Sequence, residues 1–351
     1  MALLLILVSC AAPKSEWKGS MREIDGVTVV RNPLDPIHDE GVILFEADIR
    51  IESDEENETY LFNRIEHITV DREGRIYVLD RDEGHVLVFD ADGGYMRTIS
   101  RKGQGPEELN NPYFIYIADG ELMVLQFERI SFFSPNGEFR RTIPTARERL
   151  RRVRMNSRGG FVATSMLFDS ESIALQLKLY DFRCSPIRTI KEIPIDRTRR
   201  IFAPAMYMTV MEDDFIVFGY SADYELQVFS PEGNPVRRIT RKYRPVEITR
   251  EEISERTGTI PPDIQYEIPE HHPAFARFIH DEQGRLYVQT MEKCPGFQTY
   301  LYDVFDPEGR FLTRTPLRQY PVLFRGGRLY SLEEDEKGFP VIRRYLVRWT
   351  I

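Results

Sequence analysis

EHITVDREGRIYVLDRDEGHVLVFDADGGYMRTI, running from Glu66 to Ile99, alternates short runs of β-branched and aromatic residues with glycine-bearing turns. Four strands are expected: Ile68–Val70, Arg75–Leu79, His85–Phe89 and Tyr95–Ile99. The turns between them carry Gly74, Gly84 and the pair Gly93–Gly94, and tight hairpins favour glycine because it takes positive φ without steric penalty. Strands this short, at this spacing, predict an antiparallel four-stranded meander. One such meander cannot bury both of its faces, so copies of it are needed.

The copies are present. An aromatic, then Asp or Ser, two residues and Gly recur as Phe89-Asp-Ala-Asp-Gly93, Phe133-Ser-Pro-Asn-Gly137, Phe229-Ser-Pro-Glu-Gly233 and Phe305-Asp-Pro-Glu-Gly309. A fifth copy, Tyr180-Asp-Phe-Arg-Cys184, has Cys in place of Gly. The aromatics lie 44, 47, 49 and 76 residues apart, so the last step is one period plus an insertion. A second marker precedes the second strand of each unit: Asp71-Arg-Glu-Gly74-Arg-Ile-Tyr-Val, Asp119-Gly120, Asn156-Ser-Arg-Gly159, Asp213-Asp214, Asp281-Glu-Gln-Gly284-Arg-Leu-Tyr-Val and Gly326-Gly327. It counts six units where the first marker counts five. The sixth unit ends after its third strand (Val341–Arg348), and the β segment Gly41–Ile51 has no partner of its own. That segment is expected to complete the sixth unit and close the ring, removing exposed sheet edges.

The chain of 351 residues is long enough for one large core, and six units use nearly all of it. A formal net charge of −9 argues against nucleic acid as a partner. Past the N-terminus no stretch approaches the roughly 20 apolar residues of a membrane-spanning helix.

Arg101–Pro112, RKGQGPEELNNP, lies between the outer strand of unit one and the inner strand of unit two. It has neither the Lys-Ser/Thr nor the following helix of a phosphate-binding loop, and reads as a turn. Together with the flanking Asp-x-x-Gly-x-Ile-Tyr-Val it resembles the inter-blade loop of NHL-repeat β-propellers, over roughly residues 60–351. The resemblance implies an all-β, six-bladed propeller with four-stranded antiparallel blades. Met1–Cys10, MALLLILVSC, resembles a bacterial lipobox at Leu7-Val8-Ser9-Cys10. That resemblance implies a signal peptide over 1–9 and acylation of Cys10. No Lys or Arg precedes the apolar run, as expected if the leader is truncated at its start. Residues 10–26 are then the lipidated cysteine and a tether, and 27–351 a single propeller.

An insertion, Tyr243–Pro273, separates units four and five. Thr249 and Glu252 form a capping-box pattern that predicts one short helix, ended near Thr257-Gly258 and followed by a Pro-rich loop. A loop of this length on one face is expected either to cover the central opening or to meet a partner. Unit three opens with Arg147, Arg149, Arg151, Arg152 and Arg154. Strand alternation puts Arg152 and Arg154 on one face, as a charged surface or an anion-binding lip. Cys184 and Cys294 fall on non-adjacent units and are expected to be buried thiols.

Six-bladed relatives include calcium-dependent lactonases and zinc-dependent lyases, with the metal on the axis. The axial positions here supply Arg, Tyr and His more than the oxygen donors calcium needs. Adjacent His271 and His272 point apart on an extended strand. No Gly-x-Ser-x-Gly elbow is present, and no nucleophile has an evident base. No catalytic residue, metal or cofactor is therefore assigned. The expectation is a monomeric, exported binding or scaffold module that meets the membrane only through its lipid and takes a protein or small-molecule ligand. The alternative is a metal-dependent hydrolase or lyase. The groups expected to line the mouth are Arg64, Tyr113, Arg152, Tyr207, His272 and Tyr320.

Overall fold

The turn markers are small hydrogen-bonded cages. In a computed structural model describing residues 16–53, 60–118, 120–145, 150–168, 173–195, 198–258, 265–294, 299–318 and 320–351, Asp71 Oδ1 accepts from the amides of Glu73 (3.0 Å) and Arg75 (2.9 Å). Its Oδ2 accepts from Arg75 Nε at 2.6 Å and from the buried Tyr77 hydroxyl at 3.0 Å. Asp281 repeats every one of these bonds with Gln283, Arg285 and Tyr287. The Asp-x-x-Gly-Arg-x-Tyr pattern is thus one physical unit, in which the carboxylate closes the turn and anchors the strand that follows.

The glycine that ends the aromatic marker has two reasons to be glycine. Gly93, Gly137, Gly233 and Gly309 all have positive φ. Each also lies against an isoleucine of the preceding blade's outer strand, so that a Cβ on Gly309 would sit 2.7 Å from Ile239. Cys184 adopts the same left-handed conformation at φ 62°, a strained one for a residue with a Cβ.

Three strands precede the ring: β1 (Ser20–Ile24), β2 (Val27–Asn32) and β3 (Ile43–Ile51). Blade one is β4 (Ile65–Val70), β5 (Ile76–Asp80), β6 (His85–Phe89) and β7 (Tyr95–Ile99), and blade two is β8 (Phe114–Ala118), β9 (Glu121–Leu125), β10 (Arg129–Phe133) and β11 (Phe139–Pro144). Blade three is β12 (Arg152–Met155), β13 (Phe161–Phe168), β14 (Ile173–Tyr180) and β15 (Pro186–Ile195). Blade four is β16 (Met206–Val210), β17 (Ile216–Tyr220), β18 (Glu225–Phe229) and β19 (Pro235–Arg241), after which comes the helix α1 (Arg250–Thr257). Blade five is β20 (Arg277–His280), β21 (Leu286–Lys293), β22 (Thr299–Phe305) and β23 (Phe311–Arg318). Blade six is β24 (Tyr320–Arg325), β25 (Arg328–Glu334) and β26 (Pro340–Trp349), completed by β3. Pairing of β26 with β3 runs from Ile342↔Ile51 to Trp349↔Ile43, so the N-terminal strand closes the ring as expected. The apolar clusters lie between neighbouring blades, as where Tyr77, Val86 and Val88 of blade one meet Ile115, Leu122 and Val124 of blade two.

The N-terminal region departs from expectation. Residues Ser20–Ile24, assigned above to a tether, form β1, and the β1–β2 hairpin extends blade four to six strands through a parallel pairing of β2 with β19. The chain then straps across the rim of blade five. Ile37 and His38 donate to the carbonyls of Phe311 and Leu312, and Thr313 donates to Asp39 O. Buried Asn32 is the rivet. Its amide donates to Gly309 O (2.9 Å) and Thr240 O (3.2 Å) and accepts from Phe311 N (2.8 Å). Beneath this strap Asp303, fully buried, meets Arg241 at 2.8 Å and Arg314 at 2.9 Å and accepts from the Tyr224 hydroxyl at 2.6 Å.

The lipobox with Cys10, together with Arg147, Arg149, Pro261 and Pro262, lies outside the described residues. Arg101–Pro112 is a closed turn, with Leu109 N donating to Arg101 O and Gly103 N to Leu109 O. Cys184 is a buried free thiol, as expected, whereas Cys294 is free but only half-buried.

Candidate functional site at the propeller axis

The inner strands β4, β8, β12, β16, β20 and β24 abut in turn, with β24 returning to β4, and so surround the axis. They begin on the face that carries the inter-blade loops and the insertion. Two stacked pairs sit near that opening. The Arg152 guanidinium lies 4.8 Å from the Tyr207 ring centre, and that of Arg277 lies 3.5 Å from Tyr320. Arg277 is held in place by Gln289 Oε1, which accepts from its Nε at 2.9 Å, and by Tyr302 Oη, 3.3 Å from its Nη2. Burial first of all raises the Tyr207 hydroxyl above its ordinary value, and Arg152, Tyr320 and Arg277 all act on it. Four blades therefore contribute to one lip.

Further along the strands lies a second tier. Arg154 stacks 4.6 Å from the Phe114 ring, and the same ring packs 4.3 Å from His67. His280 Nδ1 is 3.1 Å from Thr209 Oγ1 across the β16–β20 junction. Burial, then Arg154 and Arg152, push the His67 imidazole down to about 3. Burial and then Arg154 hold His280 at about 4, with Arg325 adding to the fall and Asp281 and Asp213 opposing it. Burial, with Arg152 adding to it, also lowers Arg154 to about 10. Arg154 Nη1 donates to Val153 O at 3.0 Å, but among the described residues no carboxylate pairs with Arg152, Arg154 or Arg277. His67 Nδ1 is buried with no hydrogen-bond partner. Among the described residues this is a cationic, aromatic cluster in which no carboxylate bonds to the arginines.

Of the sequence candidates, Arg152, Tyr207 and Tyr320 come together at the lip. Tyr113 spends its hydroxyl on Leu150 O (2.7 Å) and so braces blade two against blade three. With Arg81, Asn111, Phe127 and Arg129, Tyr113 also lines a groove of about 580 Å³ between blades one and two on the loop face. Arg64 is exposed and pairs with Glu66 at 3.6 Å. His272, only 8% exposed, is instead buried beneath the insertion. There its Nε2 lies 3.1 Å from Glu252 Oε2, and its ring meets Phe202 edge-on. Sequence reasoning missed Arg277, Arg154, His67 and His280 as one group. The available signal was their placement on inner strands, four of which carry Arg or His.

The insertion folds as predicted, with Thr249 Oγ1 accepting from Glu252 N and the Glu252 carboxylate accepting from Thr249 N. Lys293 of blade five donates to Glu252 at 3.0 Å, which pins the helix to the ring. Burial raises the Glu252 carboxyl, but the Thr249 amide, Lys293 and His272 together outweigh it and hold the group at about 2.

An axial divalent cation does not fit these residues. The tunnel presents guanidiniums, phenols and imidazoles already depressed by neighbouring cations, whereas calcium requires six to eight oxygen donors. Among the described residues no three His, Cys, Asp or Glu side chains converge on one point.

A family model described as a 6-bladed beta-propeller matches residues 49–148. No curated protein matches the chain in sequence. A Bacteroides fragilis protein predicted to be exported is 9% identical over 92% of this chain and 100% of its own, with a TM-score of 0.61. A member of the DUF4221 family from Bacteroides vulgatus is 11% identical over 88% of this chain and 99% of its own, with a TM-score of 0.53. At these identities the likeness is one of fold.

Proposed function

We propose that this propeller is an exported binding or scaffold module whose recognition surface is the loop face and the mouth of the axial tunnel. The observation that carries this is the lip of Arg152, Tyr207, Arg277 and Tyr320, drawn from four blades and left without a carboxylate partner among the described residues. Arginines stacked on aromatic faces are held in place while their N–H edges stay free to bond a ligand. An axial hydrolase or lyase is the weaker alternative, since among the described residues no three His, Cys, Asp or Glu side chains converge on one point. Export and lipid attachment through Cys10 rest on the Leu7-Val8-Ser9-Cys10 resemblance. The Bacteroides fragilis protein of the same fold, itself predicted to be exported, supports export alone, and the Arg101–Pro112 turn supports an NHL-type ancestry.

Capture tests the binding role. The immobilised chain is exposed to an envelope extract, and retained small molecules and proteins are identified by mass spectrometry. A variant carrying both Arg152→Ala and Tyr320→Ala should lose what the parent retains, and equal retention would reject the mouth as the recognition surface. Changing Cys10 to Ala should move the protein from the membrane to the soluble fraction, and unchanged partitioning would reject the anchor.

A further inference from the structure

The second tier of the tunnel says more about the ligand, provided the mouth is a binding site at all. A guanidinium withdrawn from water normally has a carboxylate beside it, because an uncompensated buried charge is costly. This fold follows that rule elsewhere. Arg241, with a side chain only 2% exposed, meets Asp303 at 2.8 Å, and Arg344, at 9%, meets Asp48 at 2.8 Å. Arg154 breaks it. Its guanidinium has Phe114 on one side, Arg152 two residues away on the same strand face, and His67 and His280 within electrostatic reach. Its guanidinium donates to the Val153 carbonyl. Of the nearby groups, His67 Nδ1 is a buried polar atom with no partner.

We infer that Arg154, Arg152 and His67 form an oxyanion subsite on the propeller axis, which takes the carboxylate or phosphate group of a small ligand entering through the Arg152–Tyr207 and Arg277–Tyr320 lip. Arginine suits this task because its planar fork matches two oxygens of a carboxylate or phosphate at once. Arg154 and Arg152 alternate with buried Val153 and so share one face of β12, Arg152 reaching Tyr207 of blade four and Arg154 reaching Phe114 of blade two. His67, held neutral in the empty tunnel, would gain a proton as the anion arrives and add a third donor. The phenol rings of Tyr207 and Tyr320 back the outer guanidiniums and keep them from collapsing onto one another. Carboxylate and phosphate share this chemistry, and the probes below separate them.

The full chain is titrated with inorganic phosphate and, separately, with succinate, at constant ionic strength, by calorimetry and thermal unfolding. A saturable heat and a saturable rise in Tm with either probe are expected, and the better probe identifies the oxyanion. Arg154→Met should weaken that binding about tenfold or more, the equivalent of one charge-assisted hydrogen bond. It should also raise the Tm of the ligand-free protein, because an unneutralised charge leaves the interior, whereas a merely structural arginine would lower it. Arg152→Met, at an exposed position, guards against a variant that does not fold and should weaken binding too. In NMR titrations the His67 imidazole should become protonated at higher pH when the probe is bound. No saturable binding, or binding unaltered by both variants, overturns the subsite. Should mouth-dependent capture from the extract persist while both probes fail, the anion assignment falls and the binding module stands; loss of both removes both.

Discussion

The two axial histidines make the stability of this fold depend on pH in a window where few other groups titrate. His67 is held at about 3 and His280 at about 4, against an ordinary value of 6.5. A lowered native pKa means that the unfolded chain binds more protons, so stability rises with pH. The loss sets in as pH falls through 6.5 and grows until the native values are reached. At pH 5 an unfolded imidazole is almost fully protonated while the native one is not, a difference of about 2 kcal/mol per group. Both rings are partly exposed, and halving the sum for solvent screening leaves about 2 kcal/mol for the pair. Urea unfolding of the full chain at pH 8, 7, 6 and 5 measures this directly. The parent should lose about 2 kcal/mol across the series, most of it below pH 6.5. A variant with His67→Gln and His280→Gln should show a much flatter profile. Parallel profiles for parent and variant would refute the idea that burial and the neighbouring cations hold these rings neutral.

Other expectations follow from the turns, the buried ion cluster and the helix cap. Gly309→Ala should cost about 3 kcal/mol in urea unfolding, from strain at positive φ plus contact with Ile239, whereas Gly120→Ala, also at positive φ but with nothing within 4 Å, should show the strain alone at about 1 kcal/mol. Equal losses would rule out close blade-to-blade approach as the second reason for the marker glycine. Asp303→Asn should cost about 3 kcal/mol or more, because buried Arg241 would lose its counter-charge, and a neutral result in thermal unfolding would contradict that assignment. Glu252→Gln should destabilise by about 1 kcal/mol at pH 6, where the carboxylate is ionised and bonded to Thr249 N and Lys293. A depressed carboxyl contributes above its ordinary value of 4.5 and loses that contribution as pH falls toward 2, so the two proteins should converge there.

Much of the architecture was legible because it is local chemistry repeated. The Asp71 and Asp281 cages and the Thr249–Glu252 box each carry their structural reason within a dozen residues, and the role of Gly41–Ile51 could be read from a repeat count that left unit six one strand short. The β1–β2 hairpin was not legible in this way. Ser20–Ile24 is polar and largely exposed, and its partner sheet is supplied by β19 some two hundred residues later in the chain, a separation that periodicity cannot reveal. Asn32 was invisible for the same reason, since an isolated asparagine gives no hint of the carbonyls it will meet. The site was half legible. Inner-strand position alone selected Arg152, Tyr207 and Tyr320. It could not show that ring closure sets His67, Arg154 and His280 around one axis, nor that the insertion would bury His272.

The strap from β1 to β3 also imposes an order on assembly. The strand partners of residues 20–51, apart from their own hairpin, lie in blades four and six, and the strap bonds to blade five; Asn32 bonds to Gly309, 277 residues downstream, and Arg344 reaches back 296 residues to Asp48. Until Gly309 and Phe311 are made the rivet at Asn32 has nothing to hold, and until β26 is made β3 has no strand to pair with. The earliest-made segment is therefore the last to lock, and blades one to three must survive as an open arc with an exposed edge in the meantime. A chain severed before β26 leaves β3 without its partner and the ring open. In this protein completeness of synthesis is itself a condition of closure.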